Sequence, residues 1–148
     1  MRKITLLAAL LIGCFAQAQI STGLIQITDT YTIGIEIDQD NVIVAMIGEQ
    51  DRWMGLGFGV SSMTAGGDVI SFDSTGLNDR AFLGIGQTPQ LDTQDWTLIS
   101  NDVSGGVRTV VAARDLSGSD ATDFTFDSNA NTLDIVWANG VSANFQNH

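Results

Sequence analysis

From Leu24 onward the apolar residues recur with a period of two, and no stretch carries the 3.6-residue period of a helix. Tyr31, Ile33, Ile35 and Ile37 alternate with Thr32, Gly34, Glu36 and Asp38. A strand built from them is apolar on one face and polar on the other, as half-buried antiparallel strands are. Asp38 to Asn41 reads as a turn, Val42 to Ile47 as the returning strand and Trp53 to Val60 as another, with Glu49, Gln50 and Asp51 turning between them. Further strands are predicted over 68–73, 80–85, 95–100, 107–113, 123–127 and 133–138, between turn clusters such as Ser104-Gly105-Gly106 and Ser117-Gly118-Ser119-Asp120. The segment 86–94, which holds Pro89, is the least regular and is expected to be a surface connection. About ten short strands closely punctuated by turns imply an all-β fold, an antiparallel sandwich of two sheets.

The 148 residues suit one domain with its own core, and neither repeat nor linker divides them. Met1-Arg2-Lys3, the apolar run Ile4 to Phe15 and Ala16-Gln17-Ala18 follow the charge, core and small-residue order of a secretory signal. Residues 1–18 are therefore expected to be the signal peptide and 19–148 the exported domain, periplasmic or extracellular. Leu11-Ile12-Gly13-Cys14 also resembles a bacterial lipobox, which would instead anchor the chain by a lipid on Cys14. The apolar core is about a dozen residues, short of the roughly 20 that span a bilayer, so no transmembrane segment is expected. Downstream, Arg52, Arg80, Arg108 and Arg114 face all 17 acidic residues. So acidic a chain repels nucleic acid and anionic lipid. One histidine and one cysteine also weaken Ser-His-Asp and thiolate-zinc readings.

Gly55, Gly57 and Gly59 occupy alternate positions of the strand Trp53 to Val60 and so share one face. That face lacks side chains, and a large aromatic or a flat ligand can approach it closely. Beyond it come Met63 and Asp68-Val69; later come Arg114-Asp115-Leu116, an acidic turn from Asp120 to Asp123, and Ile135-Val136-Trp137-Ala138-Asn139-Gly140. Their order and spacing, across roughly residues 24–148, resemble the DOMON domain family. The resemblance implies an immunoglobulin-like β-sandwich and one of two functions. One branch, which includes the cytochrome domain of cellobiose dehydrogenase, holds a b-type haem between a Met and a His, and Met63 and His148 fall where that branch has its axial ligands. Other members are described as sugar-binding or interaction modules.

A thioether and an imidazole are suitable axial partners for haem iron, the thioether favouring the ferrous state. No Cys-x-x-Cys-His motif is present, so haem b would be held without covalent attachment. With both axial positions filled by protein, the expected role is an electron carrier rather than an enzyme, serving a redox partner such as a membrane cytochrome or flavoenzyme. Without haem, Met63 is a gap-filler and His148 a solvated terminal residue, and the expected ligand is a carbohydrate. Trp53, Trp96 and Trp137 lie on predicted strands, where a core role outweighs a sugar-stacking one. Asp127-x-Asn129-x-Asn131 begins like a calcium loop, but Thr132 stands where Gly is needed and Ala138 where the bidentate Glu belongs, so a turn is expected. Asp115, Asp120 and Asp123 could hold a hard cation at the sandwich edge, a solvated loop being the simpler reading.

Overall fold

The computed structural model describes residues 19–146. Ten strands follow one another: β1 (Ile20–Thr28), β2 (Tyr31–Ile37), β3 (Asn41–Glu49), β4 (Met54–Phe58), β5 (Asp68–Asp73), β6 (Gly76–Ala81), β7 (Gln90–Leu91), β8 (Thr97–Ser104), β9 (Val107–Asp115) and β10 (Ile135–Asn139). They pair antiparallel in two five-stranded sheets, ordered β1-β2-β3-β9-β8 and β10-β4-β5-β6-β7. The expected all-β sandwich is what forms. Among the described residues no helix is long and apolar enough to cross a membrane.

The period-two pattern sets the register. Ile33, Ile35 and Ile37 of β2 stand opposite Met46, Val44 and Val42 of β3, and these three stand opposite Val110, Ala112 and Arg114 of β9. From the second sheet Met54, Leu56 and Phe58 of β4 stand opposite Phe72, Ile70 and Asp68 of β5. All of these side chains are buried. Slipping any one strand by a residue would turn its apolar set outward, so each register is strongly specified. Across the layers, the Tyr31 hydroxyl on β2 donates to the Gly55 carbonyl on β4 at 3.2 Å.

At one end of the sandwich the inward rows finish in charges. Arg114 Nη2 donates to Asp68 Oδ2 at 2.6 Å, both side chains being 1% exposed, and this ion pair joins the two sheets. Arg114 Nη2 also reaches the Phe124 carbonyl at 2.6 Å, while the Phe124 N–H donates back to Asp68 Oδ2 at 3.0 Å. The guanidinium lies 5.0 Å from the Trp96 ring and 5.1 Å from Phe126, close enough for cation–π attraction. Phe126 in turn packs edge-on to Phe58, with ring centroids 5.1 Å apart.

Several expected boundaries shift. The strand expected over 80–85 lies at Gly76–Ala81, because Asp73-Ser74-Thr75-Gly76 is a tight turn: Asp73 Oδ1 accepts from the Thr75 N–H, and Gly76 has φ 107°. The segment 123–127 is not a strand; it is pinned by Phe124 and Phe126 and by the bond from Phe126 N–H to the Leu116 carbonyl. The expected connection 86–94 contributes the two-residue strand β7. At the outer edges, β1 shifts register between Ser21 and Leu24 and again between Gln26 and Thr28, and β8 shifts between Leu98 and Ser100.

Replacing Arg114 with Met leaves Asp68 as a buried charge without its main counterion. Urea unfolding is expected to show a loss of about 3–5 kcal/mol, part of which returns when Asp68→Asn is added. Equal losses in the single and double variants would contradict the assigned coupling.

Candidate functional site: a glycine-floored cleft

On the outer face of the second sheet, β4 carries glycines where a strand would ordinarily carry side chains. Gly57 stands between Val136 of β10 and Val69 of β5, and Gly55 between Ala138 and Ser71. This small-residue floor underlies a cleft enclosing about 100 Å³, bordered by Trp53, Met63, Phe82, Trp137 and Phe145. The two glycines differ. A Cβ at Gly55 would meet nothing closer than 3.5 Å, whereas at Gly57 it would lie 2.6 Å from the Phe82 ring and 2.7 Å from Val136. Phe82 therefore already fills the space above Gly57, while Gly55 lies under the Trp53 ring with room for a methyl group at ordinary contact distance.

The walls come from two connections. Met63 sits on the loop between β4 and β5, and two backbone bonds secure the end of that loop: Gly66 N–H to the Phe82 carbonyl and Phe82 N–H to the Gly67 carbonyl. The other wall is the chain after β10, which folds back along the sheet. Gly140 N–H donates to the Trp53 carbonyl, Trp53 N–H to the Ser142 carbonyl and Ser74 N–H to the Ala143 carbonyl. Gly140 must lack a side chain because its Cβ would collide with the Trp53 indole. This path lays Phe145 against Trp53, ring centroids 4.7 Å apart, beneath the Arg80 guanidinium at 4.0 Å, and brings Gln146 to the cleft.

Of the expected ligand pair, Met63 is half-buried and lines this cleft. His148 lies outside the described residues, as do the expected signal peptide 1–18 and Cys14. Trp53 and Trp96 are buried, although both fall just outside strands. Trp137 departs in part from the expected core role: it takes the inward parity of β10, opposite Leu56, and packs against Tyr31 with ring centroids 6.1 Å apart, yet it is 44% exposed at the sheet edge. Thr88 and Pro89, expected on a plain surface connection, also border it. Asp127 is the acceptor of a turn, bonded by the Asn129 N–H at 2.8 Å, as its sequence implies.

The expected grouping of Asp115, Asp120 and Asp123 does not form. Asp115 is exposed, and Asp120 Oδ1 accepts from the N–H and hydroxyl of Thr122. Asp123 instead turns toward Asp68 and Asp79, each of the three offering a carboxylate oxygen within 4.8 Å of the others. Burial pushes Asp79 up to about 7, its bond from the Asp95 N–H opposing only in part. Burial likewise carries Asp68 up to about 6 despite Arg114, and raises Asp123. The legible signal for Asp68 and Asp79 was strand parity: each occupies an inward position where an apolar residue belongs, Asp79 opposite Ile70 and Asp68 opposite Phe58.

A two-sheet antiparallel sandwich with a small, largely apolar cleft on one outer face defines a small all-β domain. The family model of the DOMON domain matches residues 27–140, well over half of the chain, and the chain belongs to that family. No match was found among curated proteins.

Two outcomes follow. Gly55→Ala is expected to leave urea stability unchanged or slightly raised, whereas Gly57→Ala, which must displace Phe82 or Val136, is expected to cost about 1–3 kcal/mol; equal effects would contradict the packing. In chelator, folding takes up protons wherever the folded Asp68 and Asp79 titrate above their unfolded value of 3.8. Stability is thus expected to fall as pH rises from about 4 to 8 by on the order of a few kcal/mol, and Asp79→Asn to flatten that slope.

Proposed function

We propose that this DOMON domain is exported, binds haem b and carries single electrons, with the Met63 thioether and the His148 imidazole as axial ligands. The observation that carries the reading is that Met63 and the last described residues of the chain border one cleft. Gln146, the last described residue, lines it, and His148 follows two positions later in the sequence. The glycines of β4 and the apolar walls suit a flat macrocycle, and seating one requires Trp53, Phe82 or the 140–146 segment to give way around the small enclosed volume. A bound haem supplies one-electron exchange between ferric and ferrous iron. A Met63 thioether ligand would favour the reduced form, and Trp53, Phe82 and Phe145 would keep water from the cleft. Export rests on the order of residues in 1–18, and the partner class on the carrier role.

The half-exposed Trp137 at the sandwich edge favours a second reading, a haem-free domain that stacks a sugar on that indole. One experiment separates the two. The protein is produced without a histidine tag and supplied with haem, and oxidised and reduced absorption spectra are recorded. Low-spin, six-coordinate bands are expected, lost in both Met63→Ala and His148→Ala. A free-haem spectrum indifferent to both substitutions, together with glycan binding abolished by Trp137→Ala, would establish the sugar module instead.

A further inference from the structure

We propose that Asp68, Asp79 and Asp123 bind one calcium ion at the Arg114 end of the sandwich. The site is independent of the cleft and of the haem reading. Asp68 and Asp79 project from adjacent strands into the interior, 2% and 1% exposed, and Asp123 comes down from the loop above. Acidity alone would be a weak argument, but two buried oxygens, Asp68 Oδ1 and Asp79 Oδ1, have no hydrogen-bond partner among the described residues. Buried carboxylate oxygens left in that state are costly and call for a cation or a proton. Arg114 supplies only part of the compensation. Its short bonds go to Asp68 Oδ2 and the Phe124 carbonyl, and its Nη1 stands 3.7 Å from Asp123. Three carboxylates against one guanidinium leave two negative charges, the complement of a divalent ion.

The donor set favours calcium. The three carboxylate oxygens fall within 4.8 Å of one another, a spread that calcium bonds of about 2.3–2.6 Å can bridge. Magnesium usually keeps several waters and is not held by such all-protein cages. Carboxylate oxygen is also the hard donor that calcium prefers over softer metals. Nearby, Asp92 accepts from the Thr122 hydroxyl and Asp95 from the Ser119 N–H and hydroxyl, so further negative charge lies close to the group and favours cations there.

The test uses the purified protein, stripped with EGTA and titrated with calcium chloride at pH 7.5 by calorimetry and by thermal unfolding. Saturable uptake of one ion per chain is expected, with a rise of several degrees in the unfolding temperature at excess calcium and weaker binding of magnesium. Asp79→Asn and Asp123→Asn are each expected to weaken calcium at least tenfold. If Asp79→Asn does not fold, Asp123→Asn, which changes a loop side chain, decides alone. Absence of saturable binding, affinity unchanged in the variants that fold, or magnesium binding tighter than calcium would overturn the proposal; in the first case the carboxylates share protons instead.

Discussion

The ion pair between Arg114 and Asp68 is the constraint around which the rest is arranged. It joins β9 of one sheet to β5 of the other, where two apolar layers would otherwise meet without direction. Hydrophobic contact specifies that the layers pack but says little about their relative slide; a bidirectional set of bonds among Arg114, Asp68 and Phe124 permits one placement. Phe124 is drawn into that set through its backbone, which explains why 123–127 is extended yet belongs to neither sheet. The same anchoring holds Phe126 under Phe58 and Arg114, and hence closes this end of the core.

The two regions of chemical interest lie on opposite sides of the same sheet. The glycine-floored cleft uses the outward positions of β4, β5 and β10, and the acidic group uses the inward positions of β5 and β6. Strand parity therefore assigns adjacent residues to different sites: Asp68 faces the interior, and Val69 faces the cleft. A change in the register of β5 would exchange the two sets.

Most of the fold was legible because alternation is a local signal. Tyr31 to Ile37 and Val42 to Ile47 carry it without interruption, and their strands form close to the expected limits. It failed where tertiary contacts override it. Residues 80–85 look strand-like, but the Asp73–Gly76 turn starts β6 earlier, and 123–127 alternates because of its aromatic anchors rather than a ladder. For the cleft, the bare face at Gly55 and Gly57 and the loop Met63 were readable. The contributions of Phe145, Gln146, Thr88 and Pro89 depend on where distant chain returns, which no local pattern encodes. The acidic turn was noticed, but its true companions for Asp123 come from 44 and 55 residues earlier in the chain.

The irregular outer edges carry a consequence for how this domain can meet others. β1 and β8 expose Leu24, Ile25, Leu98, Ile99 and Val103, a composition that invites another chain to add a strand. The register breaks between Ser21 and Leu24, between Gln26 and Thr28 and between Leu98 and Ser100 twist those rims out of line. A straight visiting strand cannot follow them for more than a few bonds. Lateral growth of the sheet is thus disfavoured at both rims, and encounters with other molecules are diverted to the broad faces, where side chains rather than backbone determine what is recognised.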